Sequence, residues 1–65
     1  MNSLSIHELV PGIQYRMYSD GGCKEMATTI FRTFIKVDAD ENPLFYDDSM
    51  RCPVMYDRYW RFYKI

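Results

Sequence analysis

The chain has 65 residues, 48% of them hydrophobic and 17% aromatic, and carries a formal charge of −1. One domain at most fits this length, and a chain so short buries only about 60% of the surface its unfolded form exposes. The apolar content excludes disorder, and the near-neutral charge excludes a global positive field that would draw nucleic acid or acidic membranes to it.

The spacing Ser5-Ile6-His7-Glu8 is that of a capping box, but Pro11-Gly12 follows so soon that no more than a turn or so of helix fits. Ile13, Tyr15 and Met17 then alternate with Gln14 and Arg16, which predicts a half-buried strand over residues 13–18, stopped by Asp20-Gly21-Gly22. Cys23 to Ala27 is expected as a loop or one helical turn, since Lys24-Glu25-Met26-Ala27 favours helix but is too short to hold one unaided. From Thr28 to Val37 β-branched and aromatic residues dominate, the composition of a central strand. Within it Phe31, Thr33, Ile35 and Val37 share one face. Ile30, Arg32, Phe34 and Lys36 share the other, which is expected to be mixed and only partly covered.

Asp38-Ala39-Asp40-Glu41-Asn42-Pro43 concentrates turn formers between two apolar runs and predicts a hairpin leading to a strand at Leu44-Phe45-Tyr46. Asp47-Asp48-Ser49 ends that strand, and Arg51 to Met55 offers a further short extended piece. The tail from Tyr59 to Ile65 is rich in rings and lacks Ala and Leu, so it reads as a closing strand. Trp60 and Phe62 fall on one side of it, and Tyr59, Arg61 and Tyr63 on the other.

Four or five short strands at this spacing predict a mainly β domain, a small barrel or a strongly bent antiparallel meander, because closure hides strand edges in a short chain. The order of elements is a Leu9-Val10-Pro11-Gly12 lead-in, a first strand, a long second strand, an acidic hairpin, a Phe45-Tyr46-Asp47-Asp48 strand and a terminal strand. This layout resembles Src-homology-3-like and Tudor-like small barrels over most of the chain. The resemblance implies a fold and transfers no functional residue.

Charge is uneven along the chain. Residues 38–48 carry five acids and no base, whereas residues 51–65 carry Arg51, Arg58, Arg61 and Lys64 against Asp57 alone, local charges of −5 and +3. A solvated acidic turn facing a strand whose cations flank aromatics accounts for this, and so does a dipolar binding surface. Cys23 and Cys52 are too few for a disulfide-built scaffold, and the first residues have neither the basic lead nor the apolar run of an export signal. Stretches without charge are far short of the roughly 20 residues that span a bilayer. A reducing cytoplasm, free thiols and no membrane attachment are therefore expected.

No constellation carries chemistry. Asp38, Asp40 and Asn42 match the start of a calcium loop, but Pro43 and Ser49 stand where that loop requires Gly and Glu, so a polar turn explains them and no metal is expected. His7 is the only histidine, and nothing places Cys23 or Cys52 as an activated nucleophile beside it. Asp47 and Asp48 point to opposite faces of a strand, poor geometry for paired acid–base work. Asp20-Gly21-Gly22 lacks the sequel of a phosphate-binding loop. No catalytic residue and no cofactor are expected, and the chain does not read as an enzyme.

Tyrosine is in surplus: Tyr15, Tyr18, Tyr46, Tyr56, Tyr59 and Tyr63, with Trp60 among them, exceed what so small a core can bury. Tyr, Trp and Arg are the residues that anchor interfaces, and the tail interleaves them as Arg58-Tyr59-Trp60-Arg61-Phe62-Tyr63-Lys64. The candidate binding residues are Tyr59, Arg61, Tyr63, Arg58, Tyr46 and Tyr56. They point to a small protein-interaction module, an inhibitor or adaptor that covers a site on a larger protein. Viruses often encode compact chains of this composition, although no residue carries that association. The alternative is a single-stranded nucleic-acid binder, with bases stacked on Trp60 and the tyrosines and with Arg58, Arg61 and Lys64 on phosphates. The acidic hairpin counts against it. With so small a core, weak homo-oligomerisation or a bound partner is expected to add stability.

Overall fold

A computed structural model describes residues 3–20, 25, 27–57 and 59–65. Gly21, Gly22, Cys23 and Arg58 lie outside them, as does most of the segment expected as a loop or single turn over residues 23–27. The chain enters through a 3₁₀ turn, Ile6–Glu8, closed by the capping box: the Ser5 amide donates to Glu8 Oε1 at 2.8 Å and the His7 amide to Ser5 Oγ at 3.1 Å. Leu9 then drops into the core. Pro11 and Gly12 reverse the chain, the Ile13 amide donating to the Val10 carbonyl at 3.2 Å. Gly12 takes φ +87°, the left-handed conformation that a type II turn requires after its proline.

Five strands follow among the described residues: β1 (Gln14–Ser19), β2 (Thr28–Val37), β3 (Pro43–Asp47), β4 (Cys52–Met55) and β5 (Arg61–Lys64). They form one antiparallel sheet in the order β4-β3-β2-β1-β5, so the last strand pairs with the first. The fold is mainly β, and the sheet is not closed into a barrel: β4 and β5 are its two edges. Each edge is blunted. The Leu4 amide donates to the Phe62 carbonyl at 2.7 Å along the outside of β5. On β4, the bond from the Tyr56 amide to the Pro43 carbonyl (3.0 Å) fixes the phase of the ladder, so Pro53, opposite Tyr46, turns its nitrogen away from β3. A proline there removes an outward donor and costs no ladder bond.

The sheet is nevertheless strongly curled. β3 and β5 are three strand spacings apart in the sheet order, about 14 Å in a flat sheet, yet the rings of Phe45 and Phe62 stack at 5.3 Å between centroids. Phe45 also meets Phe34 at 5.3 Å and Tyr56 at 5.8 Å, both edge-on. These rings, with Leu9, Tyr15 and Met17, fill the concave side, and Leu4, Ile6, Ile30, Val37, Val54 and Trp60 pack around them. Tyr15 satisfies its buried hydroxyl by accepting from the Val10 amide at 2.8 Å.

One expectation about β2 is overturned. Ile30, Arg32 and Phe34 face the core, and Phe31, on the opposite face, is 47% exposed. The register explains both this and the sequence's ambiguity: Phe34 faces Phe45 but Lys36 faces Leu44, so Ile35 is an extra residue in a bulge. The bulge shifts the alternation and returns Val37 to the core side opposite Pro43. The hairpin predicted after Val37 is present. Its tip is held by Asp38 Oδ1, which accepts from the amides of Asp40 and Asn42 at 2.9 Å each, with Glu41 at φ 63°.

Candidate interaction face on the outer side of the sheet

Strand pairing brings together residues that are far apart in sequence. On β1 Arg16 lies opposite Phe31 of β2 on one side and Tyr63 of β5 on the other. Two positions along, Tyr18 lies between Thr29 and Arg61. Paired residues share a face, and the buried partners Tyr15, Met17 and Phe62 claim the inner one, so these six side chains face outward. The Arg16 guanidinium sits 4.5 Å from the centroid of the Tyr63 ring, a cation–π contact that orders both side chains while Tyr63 remains half-buried. Phe31 lies on the other side of Arg16. The outer positions of β1, β2 and β5 between Gln14 and Tyr63 include two arginines and no acid.

The residues expected to bind are not all in one place. Arg61 is exposed on this face and Tyr63 is half-buried beside it. Tyr46 is on the same side of the sheet, on β3 opposite Thr33, and is 37% exposed. Tyr59 is 64% exposed in the turn before β5, where its amide donates to Asp57 Oδ1 at 3.0 Å. Tyr56 is in the core: 8% exposed, with its ring against Phe45 and Trp60. It follows β4 directly, and its amide donates to the Pro43 carbonyl at 3.0 Å. Arg58 lies outside the described residues. Sequence reasoning missed Arg16, Tyr18 and Phe31 as members of this face. Their position on the same side as Arg61 follows from β1–β5 and β1–β2 pairing, which local pattern does not reveal.

Other candidate chemistry is dispersed. His7 is exposed in the 3₁₀ turn, and Cys52 is a free, half-buried thiol on β4. Among the described residues no three His, Cys, Asp or Glu side chains gather as a metal site. Asp47 shapes the β3–β4 turn, because its Oδ1 accepts from the Ser49 amide (2.9 Å), the Ser49 hydroxyl (2.9 Å) and the Met50 amide (3.1 Å). The bond from the Met50 amide, then that from the Ser49 hydroxyl, hold its carboxyl below the ordinary value of 3.8 against the opposing effect of burial, with smaller help from the Ser49 amide and the nearby Arg32. Arg32 reaches Asp47 Oδ2 at 3.7 Å across the inner face. Among the described residues, no helix is long and apolar enough to cross a membrane.

No protein-family model matches this chain, no curated protein matches it in sequence, and no solved structure matches its fold.

Proposed function

We propose that this chain is a protein-interaction module, an inhibitor or adaptor that covers part of a larger protein with the outer face of β5, β1 and β2. The observation that carries the reading is the Arg16–Tyr63 stack at 4.5 Å, set between exposed Phe31 and the Tyr18–Arg61 pair on a face the core does not need. Aromatic rings and arginines ordered before binding lose little side-chain entropy on docking, which is the property of an interface anchor. Exposed Tyr46 and Tyr59 extend the aromatic surface at its margins. The domain works in a reducing cytoplasm with its thiols free. We read the curled meander, with its last strand paired to its first, as a partly opened relative of the Src-homology-3-like barrels; the Phe45–Phe62 stack across three strand spacings supports that reading.

The same rings and arginines could stack bases and meet phosphates of a single strand, and ionic strength separates the two readings. The test is capture of partners with the wild-type chain and with Arg16→Ala and Tyr63→Ala, followed by reconstitution of each captured species from purified components. The proposal expects a protein that binds wild type directly and loses at least about fivefold in affinity with either variant. A partner bound equally by all three, or a nucleic acid as the only species that rebinds, would overturn it.

A further inference from the structure

A cavity of about 360 Å³ opens at the seam where the curled sheet fails to close; it shares Arg61 with the outer face, but neither Arg16 nor Tyr63 lines it. Three segments meet there: the N-terminal segment that bridges to β5, the tip of the β2–β3 hairpin, and the turn between β4 and β5. Leu4, Pro43 and Trp60 are apolar residues of its lining, Glu41 and Asp57 are the acids, and Arg61 is the one cation among the described lining residues. Trp60 is held by an edge contact to Tyr56 at 5.2 Å and 82°, so this wall is fixed before any ligand arrives. The Trp60 amide also donates to the Asp57 carbonyl at 3.3 Å, and Asp57 Oδ1 accepts from the Tyr59 amide at 3.0 Å, so the turn that carries both lining residues is itself hydrogen-bonded.

We infer that this cavity binds an organic cation, an alkylammonium or guanidinium group such as the end of a lysine or arginine side chain. The choice follows from the walls. An indole and two acidic residues both favour positive charge; among the described lining residues, with Arg61 counted against Glu41 and Asp57, an anion would meet net negative charge, and a neutral apolar group would strip water from carboxylates without replacing it. The acidic hairpin tip, which sequence alone accounts for either as a solvated turn or as part of a dipolar binding surface, then forms one wall of a site.

Trp60 is the only tryptophan in the chain, so its fluorescence reads the cavity directly. Titration with n-butylammonium and n-butylguanidinium should give a saturable change with dissociation constants in the millimolar range expected of so small a fragment, and 1-pentanol, the neutral isostere, should bind at least about tenfold more weakly. Blocked Gly-Lys-Gly and Gly-Arg-Gly peptides binding at least as tightly as the free cations would place the source in a protein side chain; binding of the free cations alone would place it in small amines. The double variant Glu41→Gln, Asp57→Asn should keep its urea midpoint and lose at least about fivefold in cation affinity, whereas Arg16→Ala should lose none. The inference fails if the fluorescence change does not saturate, if 1-pentanol matches the cations, or if the double variant binds them as wild type does.

Discussion

Replacing Phe45 tests the curvature on which the whole arrangement depends. Its side chain has no exposed surface, and its ring meets those of Phe34, Tyr56 and Phe62. Truncating a buried Phe to Ala costs about 3–5 kcal/mol, and a domain of this length has only about 3–10 kcal/mol in all, so Phe45→Ala should leave little folded protein. Phe45→Leu keeps most of the volume but loses three ring contacts, and we expect a cost of about 1.5–3 kcal/mol. At roughly 4–8 °C per kcal/mol for a small domain, the melting midpoint should fall by about 6–24 °C. Urea unfolding followed through Trp60, which touches Tyr56 and through it Phe45, gives the free energy directly. Tyr59→Ala, at a 64% exposed position, is the control and should stay within about 0.5 kcal/mol of wild type. The decisive comparison is a double-mutant cycle of Phe45→Leu with Phe62→Leu, which should give a coupling of at least about 0.5 kcal/mol. Strict additivity would mean that the two rings do not touch and that the sheet is not curled.

Gly12→Ala should destabilise by about 1 kcal/mol in the same assay although a Cβ at this position would meet nothing within 4 Å, because φ +87° is strained for any L side chain; a neutral or stabilising result would refute the type II turn. The depressed Asp47 carboxyl makes its charged form stabilising above the ordinary value of 3.8, and that contribution should disappear as pH falls through the lower folded value. Stability measured against pH should therefore show an acid limb that Asp47→Asn flattens, and an unchanged limb would mean other carboxyls produce it. Trp60→Ala and Phe62→Ala should act chiefly on stability, and Arg61→Ala should leave the fold intact while weakening partner binding by at least about 1 kcal/mol. That binding should weaken only modestly between about 50 and 200 mM salt, since a steep log-linear loss is the mark of phosphate contacts.

Much of the strand plan was legible because it rests on local chemistry. The run from Thr28 to Val37 is a strand from end to end, the acidic stretch after it is a turn whose own carboxylate caps it, and Pro11-Gly12 breaks the chain where its residue types require. The inner face of β2 was not legible, since a bulge at Ile35 adds one residue to the count and alternation alone assigns the apolar side incorrectly. Tyr56 illustrates another limit: its type marks it for an interface, but its ring packs against Phe45 of β3 in the core, a contact that the pattern around Tyr56 does not reveal. Arg16 was read only as a polar position of a half-buried strand. Its pairing with Tyr63 joins the first strand to the last, a long-range choice that the curl of the sheet makes and that no window of sequence contains.

The most direct test of the central claim is a map of the surface that a reconstituted protein partner touches, made by titrating isotope-labelled chain with it and following backbone and side-chain resonances. The account predicts that the largest changes fall on Arg16, Tyr18, Phe31, Arg61 and Tyr63. Changes confined to the cleft formed by Val10, Ile13 and Ile65, or to the acidic residues of the 38–48 hairpin, with the Arg16–Tyr63 stack unmoved, would contradict it.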